Sequence, residues 1–373
     1  MLSEFNSLLF YVFAFSGSSY LLGFARQNQR PNTFFYNLII FGALSIPIII
    51  AGYRSCGSDT ITYIYNYVKY IDLSWSEVFD KIKGIGESGH IILTKLLSYL
   101  THPRIYLASY ATITIWLVYS TTARIKKDSV AMAMLIFYFV FFSTSLNVMR
   151  QYIAIALVAY SFRFIFEKKL IPFVLFVLLA TTFHTSAIVV LPLYFLWTKK
   201  DKLLSLVLIV PALIIILVIG LNLESVLDAI AGYNFESSSI QRYTTYTELV
   251  EEAKNRDFYL NLLVLVITLF HANRLKKVDK KNSFFIVLML IGTTLGVCGF
   301  VSPYAKRISL YFSIAEIWVL SDIPKCYKDH HSIWTARILI ITYAIARFTI
   351  IAYFLEQGNI IPYFWILPGW AQV

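Results

Sequence analysis

The chain has 373 residues, of which 58% are hydrophobic and 14% are charged, and its formal net charge is +11. Soluble domains carry about 25% charged residues, so this composition excludes an ordinary soluble protein. The three cysteines have no spacing typical of a metal or redox site, and they imply no structural disulfide.

Apolar runs of membrane-spanning length recur along the chain, which predicts an all-α, polytopic membrane protein with about twelve spans. We expect a single integral membrane domain over residues 1–373, and we interpret the first apolar run as a retained span. The predicted spans are 5–25, 34–52, 104–123, 129–143, 147–166, 169–184, 185–198, 202–222, 257–273, 283–301, 305–322 and 333–355. The short runs 169–184 and 185–198 are predicted to form a hairpin that turns at His184.

Basic residues are concentrated in every second connection between these spans. In chain order the basic groups are residues 26–30, 124–127, 163–169, 199–202, 274–281 and 325–328. Cytoplasmic loops of membrane proteins carry such an excess of Lys and Arg, so we expect both termini on the outer side. The positive charge is then a feature of topology, and no nucleic-acid partner is predicted.

The outer connections are longer, and two of them, at about 53–103 and 224–257, are predicted to contribute to a site. Residues 88–100 in the first are apolar enough for a short helix. We place this helix at the membrane interface, because a crossing here would invert the charge pattern. The second loop is acidic and aromatic, and the aromatic C-terminal stretch 360–373 suits the outer membrane surface.

Unusual polar residues stand just outside the second span. Arg54 and Asp59 lie at its exit, and Glu87 lies among glycines before residues 88–100. Taken alone, Asp59 and Glu87 are equally explained as helix caps, and Arg54 as an interfacial arginine.

The stretch Ser143–Tyr152 places an asparagine, an arginine and a glutamine between two apolar runs. Asn147 precedes Gln151 by one helical turn, so the two share a face. A charge this close to hydrocarbon needs a partner or a water-filled cavity, although Arg150 could instead snorkel to lipid headgroups. His184 at its predicted turn is equally explained as a hydrogen-bonded side chain.

Two further groups of charged residues lie toward the C-terminal end. Lys306 and Arg307 open the eleventh span on the outer side, where the charge rule disfavours basic residues. Arg347 lies inside the last span, nearer its outer end, and an arginine there implies a cavity or a partner. Glu316 lies in the inner half of the membrane, and we expect it to pair with Arg337 in a structural role.

Together these residues predict an anion site on the outer face, because the guanidinium fork matches phosphate oxygens. The basic residues of this site are Arg54, Arg150, Lys306, Arg307 and Arg347. The general base for a hydroxyl nucleophile would be Asp59, Glu87 or His184. A phosphate site on the outer side of a membrane protein suggests a lipid-phosphate substrate. No metal or cofactor is predicted, since the carboxylates form no convincing ligand cluster.

The polar stretches also form an ordered set. They are Tyr53-Arg-x4-Asp-Thr-x2-Tyr63, Glu87-x-Gly89, Asn147-x2-Arg-Gln151, His184-x-Ser186 and Tyr304-x2-Arg-Ile-x2-Tyr311. In order and spacing, and over most of the chain, this set resembles the EpsG family, the Wzy-like polymerases of bacterial exopolysaccharide, capsule and O-antigen.

The resemblance implies a membrane glycosyltransferase that joins oligosaccharide repeat units carried on undecaprenyl diphosphate, outside the bacterial inner membrane. The lipid-linked oligosaccharide would be both donor and acceptor, and the growing chain would pass from its lipid diphosphate to a sugar hydroxyl of the next unit. The expected partners are the bilayer, a chain-length regulator and a flippase. Tyr63, Asn147, Gln151 and Tyr304 would bind substrate beside the basic residues.

Other functions stay open from the sequence. A ligase that moves the finished glycan from the same lipid to another acceptor would need the same cavity chemistry. A transporter or flippase of lipid-linked oligosaccharide would need polar residues through the whole membrane depth, whereas here most lie in the outer half. A membrane acyltransferase is disfavoured, because His184 alone does not supply its motif.

Overall fold

The computed structural model describes residues 2–28, 33–85, 87–100, 102–197, 206–222, 257–300 and 302–366, and the described part of the chain contains no β-strand. Its α-helices are α1 (Glu4–Asn28), α2 (Phe34–Tyr53), α3 (Thr60–Asp72), α4 (Trp75–Ile85), α5 (Ser88–Ser98), α6 (Pro103–Ile125), α7 (Val130–Ile136), α8 (Phe142–Asn147), α9 (Met149–Phe166), α10 (Leu170–Thr181), α11 (Leu206–Leu221), α12 (Asp257–Val278), α13 (Lys281–Cys298), α14 (Pro303–Ser313), α15 (Glu316–Leu320) and α16 (His330–Phe348). A short helical stretch also covers residues 193–197. The 3-10 segments are Lys127–Ser129, Thr185–Val190 and Ile323–Cys326, and the π-helical segments are Phe137–Phe141 and Thr349–Phe354.

Six helical stretches of the described chain are long and apolar enough to cross a membrane. They are Glu4–Gln27, Phe34–Tyr53, Lys127–Asn147, Phe258–Val278, Lys281–Cys298 and His330–Phe354. The chain is thus an all-helical membrane protein, as predicted, but the count of about twelve spans is not confirmed. Helices α6 and α9 have 23 and 18 residues, yet their polar residues make them less apolar than these six.

Several predicted features fall wholly or partly on residues that the structure does not describe. They are the span 202–222, whose described part is α11, the basic group 199–202, the loop 224–257 and the C-terminal stretch 360–373.

The short helix predicted at residues 88–100 of the first outer connection corresponds to α5, which has 11 residues. About 20 residues are needed to cross a bilayer, so the predicted short helix is too short to span it.

The stretch Lys127–Asn147 forms the centre of the bundle. Of its apolar window 83% is buried, against 28% for His330–Phe354. Phe15 of α1 packs edge-on against Phe142 with ring centroids 5.2 Å apart. A helix that is hydrophobic on all sides is buried, and this one carries Val, Met, Leu and Phe around its whole circumference. The polar residues that follow it therefore stand at the centre of one end of the bundle.

A buried ionic network lies at the opposite end of that stretch. The Lys126 ammonium donates to Asp279 Oδ2 and Asn282 Oδ1, both at 2.8 Å, and also to Asp322 Oδ2. Asp322 Oδ1 accepts a 2.9 Å hydrogen bond from Ser129. Removal of one partner from a buried ion pair costs about 3–5 kcal/mol, so this network holds three connections of the chain together.

Candidate functional site

The beginning of α5 is held against the turn that contains His184. The backbone N–H groups of Gly89 and His90 donate to the Thr182 carbonyl at 2.9 and 3.3 Å. A Cβ atom at Gly89 would lie 2.2 Å from Thr182 Oγ1, so only glycine permits this approach. Glu87 is thereby brought next to His184, almost a hundred residues further along the chain.

Glu87 bridges an arginine and a histidine. Its Oε2 accepts a hydrogen bond from Arg150 Nη1, and its Oε1 lies 3.7 Å from His184 Nδ1. The side chains of Glu87 and His184 are each 12% exposed, whereas that of Arg150 is 36% exposed. Burial, together with the positive charges of Arg150 and Arg307, lowers the pKa of His184 to about 3. The imidazole is therefore neutral at neutral pH.

A second arginine near Asp59 and His184 is Arg307, which belongs to α14. Gln151 Nε2 donates a 2.7 Å hydrogen bond to the Arg307 carbonyl, which joins the first turn of α9 to the N-terminal half of α14. The charge of Arg307 acts on both His184 and Asp59. The charges of two arginines, Arg150 and Arg307, therefore act on both Asp59 and His184.

Asp59 precedes α3 and is half-buried. Burial raises the pKa of its carboxyl group, and the neighbouring Arg307, a hydrogen bond from Ser58 and Arg150 oppose the increase only in part. Its side chain forms no ion pair with the described residues. An ionised carboxylate with a raised pKa is suited to accept a proton near neutral pH.

Helix capping does not account for the two site carboxylates. Asp59 and Glu87 occupy the N-cap positions of α3 and α5, but neither side chain makes a capping hydrogen bond. Their positions at the helix starts are compatible with the helix dipole. Glu87 instead uses its oxygens on Arg150 and His184, and the Asp59 carboxylate faces positive charge.

The side chain of Asn147 connects the loop after α16 to the loop that carries Asp59 through hydrogen bonds. Its Nδ2 donates to the Gly358 carbonyl at 3.0 Å, and its Oδ1 lies 3.4 Å from the Asp59 amide nitrogen. The Ser58 amide also donates to the Gly358 carbonyl. Gly358 has a φ of +84°, and a Cβ there would lie 2.6 Å from Asn147 Nδ2, so this position requires glycine.

The remaining predicted residues of α3 and α14 lie around this cluster. Tyr63 follows Asp59 by one turn. Burial raises the pKa of its hydroxyl group, and the neighbouring Arg150 opposes this increase. Tyr304 is buried in the first turn of α14. Lys306 is partly exposed, and its ammonium has no partner among the described residues.

Two of the arginines predicted to bind phosphate, Arg54 and Arg347, are instead buried and contact other parts of the chain. Arg54 is fully buried, and its guanidinium donates to the carbonyls of Ala51 and Leu146 at 2.6 Å each. Those carbonyls end α2 and α8, where the helices leave backbone acceptors without internal partners. The structure therefore does not place Arg54 on a surface shared with Arg150.

Arg347 is also buried, and it pairs with Glu316 at 3.3 Å and with Asn261 Oδ1 at 2.7 Å. The prediction that Glu316 pairs with Arg337 is therefore wrong, because Glu316 pairs with Arg347. Arg337 precedes Arg347 by about 15 Å along the same helix, so one carboxylate cannot serve both. Arg337 instead lies over the Trp334 ring, at 5.2 Å from its centroid.

Arg54→Ala is expected to destabilise the protein. Two buried carbonyls would lose their donor, at a cost of about 1–3 kcal/mol each. Thermal unfolding of the purified variant should show a lowered midpoint, whereas Arg124→Ala, at the exposed end of α6, should not. A variant of normal stability that is nevertheless inactive would show that Arg54 binds substrate.

The chain matches a known protein family. The model of the EpsG family matches residues 35–365 of the chain. The chain belongs to the EpsG family. Its members are Wzy-like polysaccharide polymerases. The match to the EpsG family includes every residue of the cluster from Asp59 to Arg307. No curated protein and no solved structure matches the chain.

One further residue beside the Arg150 cluster was not predicted from the sequence of this EpsG-family protein. His90 is placed in the first turn of α5, and its Nδ1 lies 2.6 Å from Tyr110 Oη. Burial and the charge of Arg150 lower its pKa well below the ordinary value. The sequence could have indicated this, because His90 follows Glu87 by three residues and therefore lies on the same side of the helix.

Proposed function

We propose that this EpsG-family protein polymerises undecaprenyl-diphosphate-linked oligosaccharide repeat units at the outer face of the bacterial inner membrane. The observation that supports this most strongly is the meeting of Arg150 and Arg307 around Asp59 and His184. A pair of arginines suits a diphosphate, and a carboxylate beside it suits the activation of a hydroxyl. Family membership supports polymerisation as the outcome.

The two arginines would act on the leaving group. The acceptor hydroxyl oxygen bonds to the anomeric carbon of the donor while the bond from that carbon to the diphosphate oxygen breaks. Negative charge then grows on the diphosphate, and Arg150 and Arg307 stabilise it in the transition state. Lys306, whose ammonium is unpaired among the described residues, adds a point charge at the edge of the site.

Asp59 is the base that the geometry favours among the three candidates. The hydroxyl proton would pass to its carboxylate, whose raised pKa makes it a better acceptor than an ordinary aspartate. Glu87 is already engaged by Arg150, which stabilises its ionised form and weakens it as a base. We therefore assign to Glu87 the positioning of Arg150 and His184.

The proposed orientation rests on charge. The Lys126 network and the basic connections 124–127, 274–281 and 325–328 lie at the end of the bundle opposite Arg150. With the basic end inside, the site faces outward, and about twelve spans would place both termini there. A flippase would then deliver the repeat units, and a chain-length regulator would act on the product.

Purified protein and purified lipid-linked repeat units would test this function. Incubation in liposomes is expected to give elongated, lipid-linked product without any added nucleotide sugar. Movement of the units across the bilayer without elongation would contradict polymerisation and identify a transporter. Transfer of glycan to an acceptor that carries no diphosphate lipid would identify a ligase.

A further inference from the structure

A groove of about 420 Å³ lies far from the site just described, among α1, the start of α7, residues 321–325 and α16. Its walls are mostly apolar and aromatic, with Tyr20, Met132 and Ile341 among them. Asp128, Lys325 and Arg337 contribute its charges. The groove lies at the same end of the bundle as the Lys126 network, because Lys127–Ser129 adjoins both.

Two of these charges, those of Arg337 and Asp128, have no counter-ion among the residues that the structure describes. Arg337 lies about 10 Å along α16 from its first residue, His330, and therefore within an apolar span. Its guanidinium packs on Trp334 but pairs with no carboxylate among the described residues. Asp128 is exposed and likewise forms no ion pair with the described residues. Lys325, in contrast, is paired with Asp322 at 3.1 Å.

A charge inside a membrane span is costly unless it has a partner. An arginine fork binds phosphate oxygens well, and basic pockets between transmembrane helices are known sites for lipid headgroups. The carboxylate of Asp128 on the same groove disfavours a purely anionic headgroup and favours one that also carries an ammonium group. The apolar walls suit an acyl chain.

We propose that this groove binds a phospholipid with a protonated amine in its headgroup, such as phosphatidylethanolamine. Its phosphate contacts Arg337, its ammonium group faces Asp128, and an acyl chain lies along Tyr20 and Ile341. The bound lipid supplies Arg337 and Asp128 with the counter-charges that the described part of the chain does not provide, and it fills the gap between α1 and α16.

Native mass spectrometry of the full chain in detergent, with added phosphatidylethanolamine or phosphatidylglycerol, tests the proposal. The wild type is expected to prefer phosphatidylethanolamine. Arg337→Met is expected to weaken its binding by about tenfold to a hundredfold, the loss expected for a charged hydrogen bond. Asp128→Asn is expected to abolish the preference while leaving phosphatidylglycerol bound. Arg124→Gln, an exposed arginine outside the groove, is the control and should behave as the wild type.

Arg337→Met removes a charge from an apolar helix, so it should not impair membrane insertion. Unchanged binding of phosphatidylethanolamine by this variant would overturn the proposal. Equal binding of the two lipids by the wild type would also overturn it, and that measurement needs no variant. Neither result depends on glycan polymerisation, so the proposed function is tested separately.

Discussion

Arg150→Ala is expected to stop glycan elongation while single lipid-linked repeats remain. Loss of a group that stabilises transition-state charge typically lowers the rate by about a hundredfold to a thousandfold. The variant also leaves Glu87, which is only 12% exposed, without its main counter-charge. Gel separation of the glycans from cells, and elongation by the purified protein, would measure the effect.

The control for this prediction is available in the same helix. Arg163 lies near the other end of α9, where its guanidinium carbon is 3.9 Å from the centroid of the Tyr160 ring. The Arg163→Ala protein should elongate the glycan at the wild-type rate. Arg150→Lys should retain partial activity, because lysine supplies charge but not the bidentate fork. Long polymer from a normally inserted Arg150→Ala protein would exclude Arg150 from the site.

Asp59→Asn is expected to lower the elongation rate by about a hundredfold to ten-thousandfold, the range for loss of a general base. The base must be ionised, and burial raises its pKa. Wild-type activity should therefore fall as pH decreases through this raised pKa, at a higher pH than for an ordinary aspartate. The residual activity of the variant should lack this dependence. Rates measured across the acidic range would show both effects.

Stability provides an independent readout for Asp59. A carboxyl group whose pKa is raised on folding favours the folded state when protonated, and this contribution is lost as pH rises through the folded pKa. Asp59→Asn should therefore unfold at the wild-type temperature or slightly above it at neutral pH. Asp72→Asn, at the exposed end of α3, is the matched control and should alter neither the elongation rate nor the unfolding temperature.

If Glu87→Gln or His184→Asn, rather than Asp59→Asn, removed the pH dependence of elongation, the base would be that residue.

The Arg150 cluster shows how far a sequence can identify a site. Asp59, Glu87, Arg150, His184 and Arg307 were each unusual, because charge near hydrocarbon is costly and needs a reason. The ordered set of motifs linked them, and the structure brings them together. The sequence could not say which carboxylate is engaged, since the contact of Glu87 with Arg150 depends on how α5 meets the His184 turn.

Arg54 and Arg347 show the opposite case. In the sequence they were equivalent to Arg150, as arginines near the outer membrane edge. In the structure, helix ends supply carbonyls to Arg54, and α15 supplies a carboxylate to Arg347. The partner of a long, flexible side chain is decided by which helices pack together, and its position in the sequence does not specify this.

The sequence by itself determined that this is an all-helical membrane protein, because hydropathy is a local property. Phosphate-binding chemistry is a prediction from its residue types. Its motifs also indicated the family. Only the tertiary structure decided which charged residues gather around Arg150 and which are paired inside the fold. Six helical stretches of the described chain are long and apolar enough to cross a membrane. The physical reason is that the cost of a charge depends on its surroundings, and helix packing creates those surroundings.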